Sequence, residues 1–239
     1  MTENREQILK TILGGIQKNL VEKFRHNFEC LILYGSWVKG TAHADSDIDL
    51  LVLFDRIDKE MEKSVRDIER SISAERSITI IPSSLEDFKN ERIPLYTAVK
   101  REGKIIYGNA DLSINPEPPE IKYSGFFKKS YEFETQKIRV AEELLEKDLL
   151  TSGIVDLCYV ASKHAIQAAL AMKGEGYSSK VAVLLPLAAK YFGNEIAERF
   201  ERLFGIYIKS EYGMGFLTKE EAGMAIEYAK VIQGVYTLD

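Results

Sequence analysis

The chain has 239 residues, of which 45% are hydrophobic and 29% charged, enough apolar material for one large or two small packed cores. A formal net charge of −5 gives no global drive toward nucleic acid. No apolar run approaches a membrane span and the opening MTENREQILK is charged and polar, so a cytoplasmic protein off the membrane is expected. In chain order, residues 3–25 carry Ile8, Ile12, Ile16, Leu20, Val21 and Phe24 at helical spacing, with Gly14-Gly15 as a place for a kink or break. An apolar strand from Leu31 to Tyr34 stops at Gly35-Ser36, and after a polar loop a second strand carries Asp47-Ile48-Asp49-Leu50. Met61, Val65, Ile68 and Ile72 line one face of a helix over 58–72, and a strand over 77–81 ends at Pro82. Ser84 caps a helix toward residue 101, with Asp87 three residues on and Pro94 as a kink or restart. A short strand over 104–107 closes this α/β unit.

The character changes at Asn109. The stretch NADLSINPEPPEIKY holds three of the six prolines and reads as a linker over 109–124. Beyond it, helices are expected over 125–147, 152–173, 178–191, 195–210 and 219–236, the last capped by Thr218. The two cysteines, Cys30 and Cys158, sit far apart in apolar contexts and read as buried free thiols, and the absence of Cys/His clusters argues against structural zinc.

The chemistry concentrates between Leu31 and Phe54. Side chains alternate along a strand, so Asp47 and Asp49 project to one side while Ile48 and Leu50 enter a core. Two neighbouring carboxylates repel and resist burial unless a cation sits between them, and a divalent metal completed by substrate phosphates answers that need. Gly35 lets the backbone come close, and the N–H groups of Gly35, Ser36 and Trp37 with the Ser36 hydroxyl can face anionic oxygens. Gly35 to Gly40 also reads G-x-x-x-x-G, but Thr41-Ala42 follow, so the lysine that defines a P-loop is absent.

Gly35-Ser36, ten intervening residues, then Asp47-hydrophobic-Asp49 resembles the signature of the polymerase-beta-like nucleotidyltransferases, in particular the minimal nucleotidyltransferases. Lys39 stands where that family often has arginine, and Ser46 before the pair is typical of it. The resemblance implies a Mg2+ (or Mn2+) ion on Asp47 and Asp49, with Gly35, Ser36, Lys39 and Ser46 on the nucleotide. It implies transfer of NMP from an NTP, ATP foremost, to an acceptor hydroxyl on a protein, RNA or small molecule. The family adds a third acid from a later strand. Thr79 stands there in this chain, a poor magnesium ligand and no general base, with Glu75, Glu86 or Asp87 as substitutes if the backbone brought them round. A weak enzyme, or a Mg–NTP sensor that does not transfer, is the alternative.

The second half resembles the HEPN domain. The resemblance rests on the run Cys158-Tyr159-Val160-Ala161-Ser162-Lys163-His164-Ala165, on Lys173-Gly174, on Glu211-Tyr212-Gly213 and on Glu220-Glu221-Ala222 before Ala229-Lys230. It implies an acceptor-docking or pairing role, a homodimer through the helices, and a link to toxin–antitoxin systems. HEPN ribonucleases use an arginine followed by a histidine; Tyr207 stands at the arginine position and no histidine follows His164, so that activity is not expected. His26 reads as surface, His43 as a solvated loop residue and His164 as a packed or hydrogen-bonded one. The expected architecture is an α/β (α+β) nucleotidyltransferase domain over 1–108, the linker over 109–124, and an all-α up-and-down bundle over 125–239.

Overall fold

The computed structural model describes residues 2–43, 46–72, 77–149, 152–176, 178–213 and 216–236. The first helix, α1 (Thr2–Phe24), runs through Gly14-Gly15 without a break. Each glycine costs about 1 kcal/mol against alanine in a helix. Leu13, Ile16 and Leu20 are buried, at roughly 1.5–3 kcal/mol each, so packing outweighs propensity. The chain continues through β1 (Phe28–Tyr34), α2 (Ser36–Lys39), β2 (Ile48–Phe54), α3 (Lys59–Ile72), β3 (Ile78–Ser84), α4 (Leu85–Asn90), α5 (Pro94–Glu102) and β4 (Lys104–Gly108).

These strands form a sheet of order β3-β2-β1-β4, with β1 antiparallel to β2 and β4, and β2 parallel to β3. In β2 every residue but Asp49 is buried. The period-two alternation sorts its side chains into two cores. Ile48, Leu50, Val52 and Phe54 meet α1 and α3, while Leu51 and Leu53 meet Phe88, Tyr96 and Val99 of α4 and α5. Asp49 therefore lies on the α4/α5 side, at the end of the strand where the chain enters it. β3 continues beyond Pro82 to Ser84; as an edge strand it tolerates a residue that cannot donate a ladder hydrogen bond. The Ser84 side chain accepts from the Asp87 N–H at 3.0 Å. Glu91, at φ 51°, ends α4, and Pro94 starts α5 as a new helix rather than kinking one.

The stretch read as a linker divides between two compact units, residues 1–116 and 117–239. Ala110 and Leu112 pack on the core beneath α4 and α5. The Asn115 N–H donates to Glu91 Oε1 at 2.5 Å. Glu91 is fully buried and also accepts from Lys100 Nζ (3.1 Å) and Thr97 Oγ1 (2.5 Å). Residues 109–116 are thus clipped to the first unit, and α6 (Pro119–Lys122) belongs to the second.

The second unit continues with α7 (Ser124–Glu146), α8 (Ser152–Met172), α9 (Val181–Phe192), α10 (Asn194–Tyr212) and α11 (Lys219–Ile232). The alanine-rich α8 is the central helix, its small side chains letting α7, α10 and α11 approach closely. Tyr123 is buried in this unit, and Phe127 and the half-exposed Tyr131 lie against Tyr236. Thr218 and Glu221 form a reciprocal capping box at the start of α11. Thr218→Ala is expected to lower the unfolding free energy by about 1 kcal/mol in urea denaturation. Among the described residues no helix is long and apolar enough to cross a membrane. Cys30 and Cys158 are buried free thiols, and burial pushes them up to about 11 and about 12, away from reactive thiolate chemistry.

Candidate active site

Gly35 joins β1 to α2 at φ 77°, a backbone region that favours glycine. A Cβ built on it would lie 2.5 Å from Asp49 Oδ2. The glycine is therefore required twice, for its torsion and for the close seat of a carboxylate against the turn. Gly35→Ala is expected to push Asp49 aside and to cut any activity of this site by roughly 10²-fold, the scale for a misplacement of about 1 Å. Within α2 the first intrahelical bond runs from Lys39 N–H to Gly35 C=O at 3.2 Å. The N–H groups of Ser36 and Val38, ahead of it, have no partner inside so short a helix.

Tyr34 pairs across the ladder with Asp49, and Asp47 stands just before the strand begins. Burial, and then the charge of Asp47, push the Asp49 carboxyl above its ordinary range. Burial and Asp49 together push the Tyr34 phenol up. The two aspartates are thus close enough to feel each other. Among the described residues no group of three or more His, Cys, Asp or Glu could hold a metal ion. A pair of carboxylates, one half-buried and repelled by the other, fits a hard divalent cation that brings its remaining oxygen ligands with the substrate.

The other predicted residues divide. Lys39 makes an ion pair with Glu102 at 2.8 Å. Because Lys104, two residues past Glu102, pairs with Leu33, this contact lies at the same end of the sheet as Asp49. Ser46 closes the loop: its hydroxyl accepts from the His43 N–H at 2.7 Å, and its own N–H donates to the His43 carbonyl at 3.2 Å. Trp37 is partly buried against the core, and its indole N–H donates to the Ser46 carbonyl at 3.3 Å. Glu102 and the Trp37–Ser46 bond carry no sequence signal, since each joins residues far apart in kind and position.

Thr79 pairs in register with Asp49 on the adjacent parallel strand and is exposed. A side chain there shares a face with Asp49 across one strand spacing of about 4.8 Å, the place where a further carboxylate would reach the same ion. Glu86 and Asp87 cannot stand in. They follow the far end of β3, roughly 16 Å along the strand from Thr79, and both lie within 4.0 Å of Arg92. Glu75 lies outside the described residues.

In the helical unit, Tyr207 stacks on Tyr159 at 4.1 Å, so the position of the ribonuclease arginine is filled by packing. His164 Nδ1 lies 3.1 Å from the buried carboxylate of Glu134, and His26 is exposed.

Known proteins match both units in the same order. The family model described as polymerase beta nucleotidyltransferase covers residues 17–112, and that of the HEPN domain covers 135–236. A protein of Methanocaldococcus jannaschii, named "Putative protein adenylyltransferase", is 33% identical over 108 residues, 43% of this chain and 74% of that protein. Among solved structures, the spectinomycin adenyltransferase of Enterococcus faecialis, crystallised with ATP and spectinomycin, superposes with a TM-score of 0.54 at 15% identity. That match covers 94% of this chain and 99% of the other, a likeness of fold.

Proposed function

Since the chain belongs to the polymerase beta nucleotidyltransferases and carries a HEPN domain behind that unit, we propose that it moves an NMP unit from an NTP to an acceptor hydroxyl. Asp47 and Asp49 are the residues that would hold Mg2+ or Mn2+. When bound, the ion supplies charge neutralisation on the phosphates of the nucleotide. The N–H groups at Ser36 and Trp37, with the Ser36 hydroxyl, face the phosphate oxygens, and Lys39 exchanges Glu102 for the negative charge of the triphosphate. The observation that carries this reading is the Asp49 carboxylate seated against Gly35, which leaves no room for a Cβ. It brings Asp49 against the turn that this reading assigns to the phosphates.

ATP as donor and a protein as acceptor are supported by the name of the Methanocaldococcus jannaschii relative. RNA or a small-molecule hydroxyl remains an acceptor of the same chemistry. A part in toxin–antitoxin pairs fits a nucleotidyltransferase unit joined to HEPN. A homodimer through the helical unit is supported by α10, where Ile208 and Tyr212 are exposed one turn apart and Phe216 follows at 99% exposure. Sedimentation at twice the monomer mass is expected, and a single monomer boundary at micromolar concentration would contradict it.

The neutral side chain at position 79 favours slow transfer, or nucleotide binding without transfer as a second reading. A missing general base costs roughly 10²–10⁴-fold in rate. The test uses ATP labelled on the α-phosphate, with Mg2+ and a lysate as acceptor source. Labelled product with release of pyrophosphate is expected, and Thr79→Asp is expected to raise the rate by about 10-fold or more. Saturable binding with no product in either protein would leave the sensor as the reading.

A further inference from the structure

The mechanism above leaves one hydrogen bond of this site without a role. Asp47 lies between two backbone anchors. On its C-terminal side the Ile48 N–H donates to the Ser77 carbonyl at 3.0 Å, fastening the strand entry to the edge of the sheet. On its N-terminal side the carbonyl of Ser46 accepts the indole N–H of Trp37 at 3.3 Å. The same Ser46 is held to His43 through both its hydroxyl, at 2.7 Å, and its N–H, at 3.2 Å. The Trp37 ring itself packs, partly buried, against the core of α1, α3 and the sheet. The indole is thus a rigid arm from that core to the peptide that carries Asp47.

Such an arm has work to do. Asp47 and Asp49 repel each other, and Asp47 is exposed with a loop behind it, so relaxation away from its neighbour is the easy response. A carbonyl fixed one residue before Asp47 and an N–H fixed one residue after it leave the aspartate little backbone freedom. Asp47 is then kept near Asp49 before an ion arrives, and the ordering cost is met on folding rather than on binding.

We propose that Trp37 is a positioning residue: its indole N–H, through the Ser46 carbonyl, holds Asp47 beside Asp49 for the divalent ion. The inference rests on the nucleotidyltransferase reading of the acidic pair. It does not require the indole to touch nucleotide.

The chain contains a single tryptophan. Global incorporation of β-(3-benzothienyl)alanine in a tryptophan auxotroph therefore changes position 37 alone, keeping the shape of the ring and deleting its N–H. Trp37→Phe deletes the N–H with some loss of packing. For wild type and both variants, Mn2+ affinity is measured with a non-hydrolysable ATP analogue from the electron paramagnetic resonance signal of free Mn2+. Melting temperatures are recorded in EDTA alongside. The expected result is a Mn2+ dissociation constant raised about 3- to 10-fold in the benzothienyl protein, the scale of one lost hydrogen bond, with an unchanged melting temperature. Trp37→Phe follows the same direction. A purely structural tryptophan would lower the melting temperature and leave the benzothienyl protein's affinity at the wild-type value; that result overturns the proposal. Wild-type protein that binds no Mn2+ would instead overturn the reading of the acidic pair, and the positioning role with it.

Discussion

Replacing Asp49 by asparagine is expected to abolish nucleotidyl transfer and, in the same protein without metal, to raise the melting temperature. The first effect follows from losing the half-buried member of the carboxylate pair, whose register neighbour on the adjacent strand is the neutral Thr79. Metal-borne charge stabilisation amounts to several kcal/mol in a transition state, so the rate should fall roughly 10³-fold. The second effect has its sign set by the Asp49 carboxyl, which burial and Asp47 push up. Folding raises the affinity of this group for its proton, so its ionisation weakens the native state. That cost is absent below the unfolded carboxyl range near pH ~3.9. It grows as the pH rises from there through the folded titration of the group. Asp49→Asn should therefore melt higher than wild type at pH 7 in EDTA, with the gap closing as the pH falls below about 4. In Mg–ATP the order should invert, because only the wild type gains stability from its ligand. Equal melting temperatures under all these conditions would mean that the two aspartates neither repel each other nor bind.

The largest loss of stability is expected from Glu91→Ala. Lys100 and Glu91 are 3% and 0% exposed at their side chains and 3.1 Å apart. Removing one partner of such a pair leaves a buried charge without compensation and costs about 3–5 kcal/mol. The same substitution frees the Asn115 N–H and the Thr97 hydroxyl from an acceptor they share. Alanine keeps a Cβ at the φ 51° backbone, so the strain there stays as it was and the loss reads on the ion pair. The first unit should melt lower by on the order of 10 °C or more, and limited proteolysis should open the segment 109–116. Replacing Glu91 and Lys100 together by methionine should recover most of the loss, as apolar substitutes of similar volume do for buried pairs. A fall of less than about 2 °C in Glu91→Ala would show that the clip contributes little.

That clip marks where the sequence could and could not be read. Gly35-Ser36 and Asp47-x-Asp49 can be read from the sequence because their geometry is local: a turn at positive φ, then a strand entry with Asp47 just before it and Asp49 inside it. The family resemblance puts Thr79 at the place of the third acid, and the strand register sets it opposite Asp49. The linker reading went astray at 109–116 because prolines describe the chain's own stiffness and say nothing of what it docks on. Here the decisive contact is with Glu91, 24 residues away. The strand over 77–81 was ended too early at Pro82, since only the sheet order shows that this strand is an edge and tolerates proline. Gly14-Gly15 was given more weight than its propensity carries once three buried side chains hold the helix. Lys39–Glu102 is invisible in the sequence for the same reason as the clip, because it pairs an exposed and a half-buried charge brought together by β4 lying beside β1.

The central claim is that Asp47 and Asp49 together take a divalent ion that presents a nucleotide to Gly35-Ser36. The most direct measurement is a crystal grown with Mn2+ and a non-hydrolysable ATP analogue, with the manganese located by its anomalous signal. We expect manganese bound by oxygens of both aspartates at about 2.1–2.2 Å, with phosphate oxygens within hydrogen-bond reach of the Ser36 and Trp37 N–H groups. Nucleotide bound elsewhere, or manganese that bypasses either aspartate, would contradict the account.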